Sequence, residues 1–271
     1  SLGNGDDSQN QYTPVGVNEL NSGTCCFSDI EETSPDGDHS CALSDGSVYC
    51  WGLDTAGQIG HGHLSCVGNG YCVNPHGPSV LNRNIVTFTT GLRHTCAIAD
   101  DSTAWCWGEN DFGQLGVGDN DDRNAPTQVL LPAGTTPISI NAGGHTTCVI
   151  LDNGTGLCWG KSDYGHLGDG TYNNRNEPTA ISILPSNRSL VAMDLGAGHA
   201  CGILDDGTAH CWGNGTFSSG ESGGRLGDGS NESSRFPRSV SLPSGRNAIS
   251  IDVGVDHTCA RRDDSSAVCW G

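Results

Sequence analysis

Basic residues are scarce in this chain: 12 Lys and Arg stand against 31 acidic residues, and Lys161 is the only lysine. Polyanion binding scales with the number of cations set against phosphates, so nucleic acid is a poor partner. The formal charge of −19 suits instead an acidic surface that resists non-specific association. No apolar run is long enough to cross a bilayer, which argues against membrane insertion. An initiator methionine and a signal peptide are both missing, so the sequence reads as a mature chain or a fragment. No segment carries the 3.6-period apolar stripe of a helix. A nucleophile elbow, a phosphate loop and a Ser/His/Asp order are missing too. Acids and histidines are scattered through equivalent loops, so no catalytic residue and no cofactor is expected.

What the chain does have is 41 Gly, 14 Cys and a phrase repeated five times. Each copy reads His, Cys, an apolar stretch, a turn, then Cys-Trp-Gly. The copies run from His39 to Gly52, His94 to Gly108, His145 to Gly160, His199 to Gly213 and His257 to Gly271. Their tryptophans are 56, 52, 53 and 58 residues apart. A period near fifty with turn-rich content means a propeller or solenoid, whose units bury their apolar faces only by stacking. One domain over 1–271 follows, with repeats at 24–84, 85–137, 138–191 and 192–248, and a fifth at 249–271 completed by 1–23.

The third copy shows how a unit is built. Setting Cys148 opposite Cys158 places 149 against 157, 150 against 156 and 151 against 155, and leaves a three-residue loop with Gly154 in the left-handed position. Copy one is a residue shorter and leaves Asp45-Gly46, the mark of a type I′ turn. Copies two and five put Ser102 and Ser265 where Gly belongs, a small expected strain. The same register pairs Cys41 with Cys50, Cys96 with Cys106, Cys201 with Cys211 and Cys259 with Cys269. Spacings of nine or ten are too wide for zinc, which wants paired Cys two to four apart. Disulfides imply an oxidising compartment, hence a secreted protein or an extracellular surface. By loop-closure entropy each is worth about 2.5–3 kcal/mol, less in a hairpin already ordered. Cys25, Cys26, Cys66 and Cys72 remain, with three pairings open or a bond to another chain.

After each of the first four Trp-Gly pairs comes a second signature: Gly57-Gln-Ile-Gly60, Gly113-Gln-Leu-Gly116, Gly165-His-Leu-Gly168 and Gly224-Arg-Leu-Gly227. A polar loop and a proline-led short strand follow, as at Pro126 to Val129 and Pro178 to Ile181. Four short strands per unit is the count of a propeller blade.

These motifs together resemble the repeats of the regulator of chromosome condensation family over essentially the whole chain. The cysteine-bearing variant looks like the extracellular members of that superfamily. The resemblance implies an all-β fold, a β-propeller of four-stranded blades, usually seven around an axis. Here about five are visible, with a disulfide in each blade hairpin. The chain opens on Ser1 to Asp6, the tail of a Gly-Gln-Leu-Gly motif, and stops at Trp270-Gly271, so the two ends complement each other. Either five blades close a ring or these are five consecutive repeats of a longer one; family precedent favours the second.

Several residues invite a functional reading. His39, His94, His145, His199 and His257 recur once per blade and read as structural, each imidazole bonding a neighbouring backbone group. The repeated tryptophans read as packing between blades rather than stacking on carbohydrate. His61, His63, Cys66 and Cys72 could hold a soft metal, but a disulfide-closed loop is favoured and no metal is assigned. Asp119-Asn-Asp121-Asp122 lacks a full calcium loop and reads as a turn. Asn153, Asn187, Asn214 and Asn231 head N-glycosylation sequons in turns or loops. The expected function is an extracellular, non-catalytic structural or protein-interaction propeller, a candidate subunit of a surface or filamentous assembly, its partners other proteins or itself. A recognition or inhibitor propeller gripping a protein by one loop face is one alternative, and a secreted propeller hydrolase is another.

Overall fold

The computed structural model describes residues 29–34, 37–62, 71–76, 81, 83–182, 184–185, 187–216, 224–243 and 246–271. Every regular element among them is a strand. The first blade is β1 (Ile30–Ser34), β2 (His39–Ser44), β3 (Ser47–Leu53) and β4 (Tyr71–His76), and the second is β5 (Ile85–Thr90), β6 (His94–Ala99), β7 (Ala104–Gly108) and β8 (Arg123–Gln128). The third is β9 (Pro137–Gly143), β10 (Thr146–Leu151), β11 (Gly156–Gly160) and β12 (Arg175–Ala180). The fourth is β13 (Leu190–Leu195), β14 (His199–Leu204), β15 (Ala209–Gly213) and β16 (Ser234–Ser239), and the fifth has β17 (Ala248–Val253), β18 (Thr258–Arg262) and β19 (Ala267–Trp270). All five sheets are antiparallel meanders in sequence order. The fifth has three described strands; residues 1–23, expected to complete it, lie outside the described residues.

Each hairpin has the register its cysteines demand. Cys148 faces Cys158, Val149 faces Leu157 and Ile150 faces Gly156, and Leu151 N–H closes on Thr155 O at 2.9 Å. All five hairpin disulfides form, each with Cα atoms 4.1 Å apart, the close spacing of a non-hydrogen-bonded antiparallel pair. Asp45 and Gly46 both have positive φ, 49° and 67°, as a type I′ turn requires. Ser102 and Ser265 are held at φ 65° and 66°, the left-handed positions that glycine fills in copies three and four. The fourth strand starts earlier than its proline suggests, at Arg123 and Arg175.

The first strand of each sheet lies at the hub, and neighbouring hub strands are tied together. Glu32 on β1 accepts from the Thr87 hydroxyl at 3.1 Å and from Phe88 N–H at 3.2 Å on β5. Ala142 N–H on β9 donates to Thr89 Oγ1 on β5, and Val253 N–H on β17 donates to Asp194 on β13 at 2.7 Å. The core is divided to match. Four apolar clusters each take residues from two successive sheets, as Leu115 of blade two meets Val149, Leu151 and Trp159 of blade three. A single blade therefore has no core of its own, which is the physical reason the units must stack. Trp107, Trp159 and Trp212 are fully buried at these joints, whereas Trp270 is half-buried and Cys269 is exposed on the fifth sheet.

Candidate functional site

The recurrent residues come together as one device, repeated at the joints between blades. Trp159 Nε1–H donates to the carbonyl of Gln114, and the Thr147 hydroxyl donates to the same oxygen at 2.8 Å. Thr147 Oγ1 also lies 2.8 Å from His94 Nε2. A histidine, a glutamine carbonyl, a threonine and a tryptophan thus form a buried network across blades two and three. His39–Thr95–Gln58 O–Trp107 repeats it, and blades four and five keep two of its bonds, His199 with Thr258 and Trp270 with the Arg225 carbonyl. The partner of each histidine is therefore a hydroxyl of the next blade, not the backbone group expected. Burial holds His39 near pKa 4, and burial with nearby positive or titratable groups holds His94 and His199 near 3, so all three rings are neutral at physiological pH. Gly116 shows why the second glycine of the Gly-Gln-Leu-Gly motif recurs. It has φ 68°, and an added Cβ would sit 2.7 Å from Trp159 Nε1.

His145 does not belong to this set. The extra residue in copy three puts Thr146 opposite Gly160, the slot that His39, His94 and His199 fill opposite Gly52, Gly108 and Gly213. His145 is pushed to the strand mouth, where Nδ1 lies 2.8 Å from Glu109 and the ring meets Phe112 edge-on. His257 is exposed beside β18. Beside Thr146 lies a cavity of about 410 Å³ between blades three, four and five, walled by His145, Lys161, His166, Asn214, Arg225 and Asp256 among others. Sequence reasoning read His145 as structural and Asn214 as a glycosylation site but expected no cavity here; the signal was present as the extra residue before Cys148.

The remaining candidates resolve differently. Asp54, His61 and Cys72 place one ligand atom each within 4.8 Å of one another. Cys72 is disulfide-bonded, however, and an oxidised sulfur is not the thiolate a metal binds. Cys25, Cys26, His63 and Cys66 lie outside the described residues. The Asp119 loop is a turn held by its own groups: Asp119 accepts from Asp121 N–H and pairs with Arg123, while Asp122 accepts from Asn110 N–H. These bonds, led by the Asp121 amide, hold the Asp119 carboxyl below its usual range. Of the sequon asparagines, Asn153, Asn187 and Asn231 are exposed. Asn214 is buried, its Oδ1 accepting from Thr216 N–H and Oγ1–H.

One surface feature repeats without serving the fold. Each hub strand bulges at its start, and the extra residue is Val86, Ile138, Val191 or Ile249 in blades two to five. These four are 61%, 56%, 57% and 47% exposed, each at the start of its hub strand and beside its own hairpin turn. Glu31 takes the place in blade one.

Comparison with known proteins agrees with the architecture. The chain is 28% identical over 239 residues to the human E3 ubiquitin-protein ligase HERC2, covering 87% of this chain and 5% of that protein. It is 26% identical over 279 residues to the ultraviolet-B receptor UVR8 of Arabidopsis thaliana, covering 100% of this chain and 58% of the receptor. The chain thus spans well under two thirds of these curated relatives. Among solved structures, yeast RCC1 (Prp20) bound to Kap60 superposes with a TM-score of 0.72 at 22% identity, over 85% of this chain and 54% of that one. The repeat model for regulator of chromosome condensation (RCC1) matches residues 45–98, 101–150, 153–203 and 206–261. With most of its length matched by that model, and with joints and hairpins built as described, the chain belongs to the regulator of chromosome condensation (RCC1) repeat family.

Proposed function

We propose that this propeller acts outside the cell as a non-catalytic module that holds other proteins, in recognition or in an extracellular assembly. The observation that carries the interaction is the set of exposed aliphatic residues at the hub end, Val86, Ile138, Val191 and Ile249. Exposed apolar side chains repeated at equivalent points of successive blades have no folding purpose, and exposed apolar surface is a mark of a contact. Yeast RCC1, a protein of the same fold, is itself seen bound to another protein, Kap60. Five hairpin disulfides support an oxidising location, since cytosolic thiols are kept reduced. N-glycans are proposed at the exposed Asn153, Asn187 and Asn231 rather than at Asn214, which is buried.

The hydrolase alternative would call for a carboxyl raised toward neutrality to act as an acid. Every carboxyl shift resolved among the described residues runs downward, as at Asp169 and Asp228, where arginine and hydroxyl partners outweigh burial. The test is site-specific photo-crosslinking on the protein in its native medium, with the probe at position 138 or 191 and a control probe at the exposed Leu130 away from the hub. A discrete cross-linked polypeptide from the two hub positions, missing from the control, is expected. Equal labelling from all three, or free thiols at the ten hairpin positions, would overturn the reading.

A further inference from the structure

At three of the four joints between blades, histidine meets threonine: His39 with Thr95 at 2.7 Å, His94 with Thr147 at 2.8 Å, and His199 with Thr258 at 2.8 Å. Between blades three and four both partners are gone. Thr146 stands in the histidine slot, and Ala200 stands before Cys201 where the others carry threonine. Losing both together leaves no orphaned partner, so this joint dispenses with the bond at little cost. The cavity of about 410 Å³ lies beside this one joint.

Its inner wall departs from the repeat as well. His166 and Arg225 replace the glutamines that blades one and two carry as Gln58 and Gln114. Those glutamines accept the main-chain N–H of Ala56 and Phe112. His166 is 7% exposed, and neither ring nitrogen has a hydrogen-bond partner of normal geometry. The Arg225 side chain is 5% exposed and pairs with Asp256, whose own side chain is 50% exposed. A methyl group on Gly198 would lie 3.7 Å from His166 Nε2 and 3.8 Å from Arg225 Nη1, so the two nitrogens converge on one point.

Charge is distributed to match. Lys161, the only lysine of the chain, stands in the same wall, as does His145, whose Nδ1 is taken by Glu109. The two acids present, Asp163 and Asp256, are half-exposed partners of Lys161 and Arg225 and are free to swing toward water. Desolvation keeps His166 near pKa 4 despite Asp163 and the Lys161 carbonyl close by, leaving a neutral ring with one donor and one acceptor. Exposed Tyr164, set edge-on to His166, with Thr146 and Asn214, adds an aromatic edge and hydroxyl-binding groups. The volume falls at the small end of ligand pockets, which run from about 300 to 1,000 Å³.

We infer that this cavity is a binding site for a small organic acid of about the size of a hexuronic acid. Its carboxylate displaces Asp256 from Arg225 and accepts a hydrogen bond from His166. The site is independent of the apolar hub residues and of any extracellular role.

Calorimetric titration with three sugars of one shape and different charge tests it: D-glucuronate, D-glucose and D-glucosamine. Glucuronate alone is expected to bind. Arg225→Gln and His166→Gln each restore the residue used in blades one and two, so the melting temperature should hold while affinity falls by about tenfold or more. Asp256→Asn removes the competing carboxylate and should tighten binding. In the wild-type protein, the His166 imidazole resonances should respond to glucuronate and titrate at higher pH when it is bound. Glucose binding as well as glucuronate, unchanged affinity in Arg225→Gln, or no response at about 10 mM glucuronate would overturn the assignment.

Discussion

Acid should weaken this propeller well before its carboxylates titrate, because the histidines at the joints are buried neutral. His39 has its pKa lowered to about 4, and His94 and His199 to about 3, with burial the leading cause in each. In the unfolded chain each returns to about 6.5. Between those values the unfolded state binds protons that the folded state refuses, so stability falls as pH falls. The stabilisation is complete above the unfolded value and is lost on the way down toward the folded one. From pH 7 to pH 5.5 one such histidine removes about 1.2 kcal/mol, and the three together about 4 kcal/mol. That is a large part of the 5–15 kcal/mol typical of a folded domain. The assay is urea unfolding with disulfides intact, followed by the fluorescence of buried Trp107, Trp159 and Trp212. Midpoints should drop steeply from pH 7 to 5.5, and His94→Gln should flatten the dependence by about one quarter or less, since burial holds His166 and His210 neutral as well. Equal midpoints at the two pH values, or imidazole resonances of these histidines titrating near 6.5 in the folded protein, would refute the reasoning.

Removing a joint hydroxyl should be costly where the network is complete. Thr147→Val deletes bonds to His94 and to the Gln114 carbonyl, and about 1–3 kcal/mol should be lost in the same unfolding assay. Ala200→Thr should bring no comparable gain, since Thr146 rather than histidine stands opposite. Under mild dithiothreitol, Cys96–Cys106, Cys148–Cys158 and Cys201–Cys211 are fully buried and should resist alkylation until the blades separate. Peptide mapping against time reads the resistance. Gly116→Ala should lower the melting temperature sharply, because its φ of 68° and the Trp159 indole leave no room for a methyl.

Hairpins were the part of this protein that the chain determined alone. Cys148 and Cys158 are ten residues apart, with a turn between whose length sets the register, so pairing and turn chemistry had to agree. Five copies of one phrase then required stacking, since no single copy carries enough apolar surface to fold. Beyond the hairpin, contacts join residues more than fifty positions apart, and those the tertiary structure decided. One inserted residue moved His145 out of its row and set Thr146 in its place; the extra residue before Cys148 signals the shift, but its consequence at the joint is settled only in the assembled sheets. The hydroxyl partner of each joint histidine follows from how neighbouring sheets face one another. The cavity beside blade three exists for the same reason: a local pattern states which side chains a blade offers, but only the facing blade settles which of them are left without a partner.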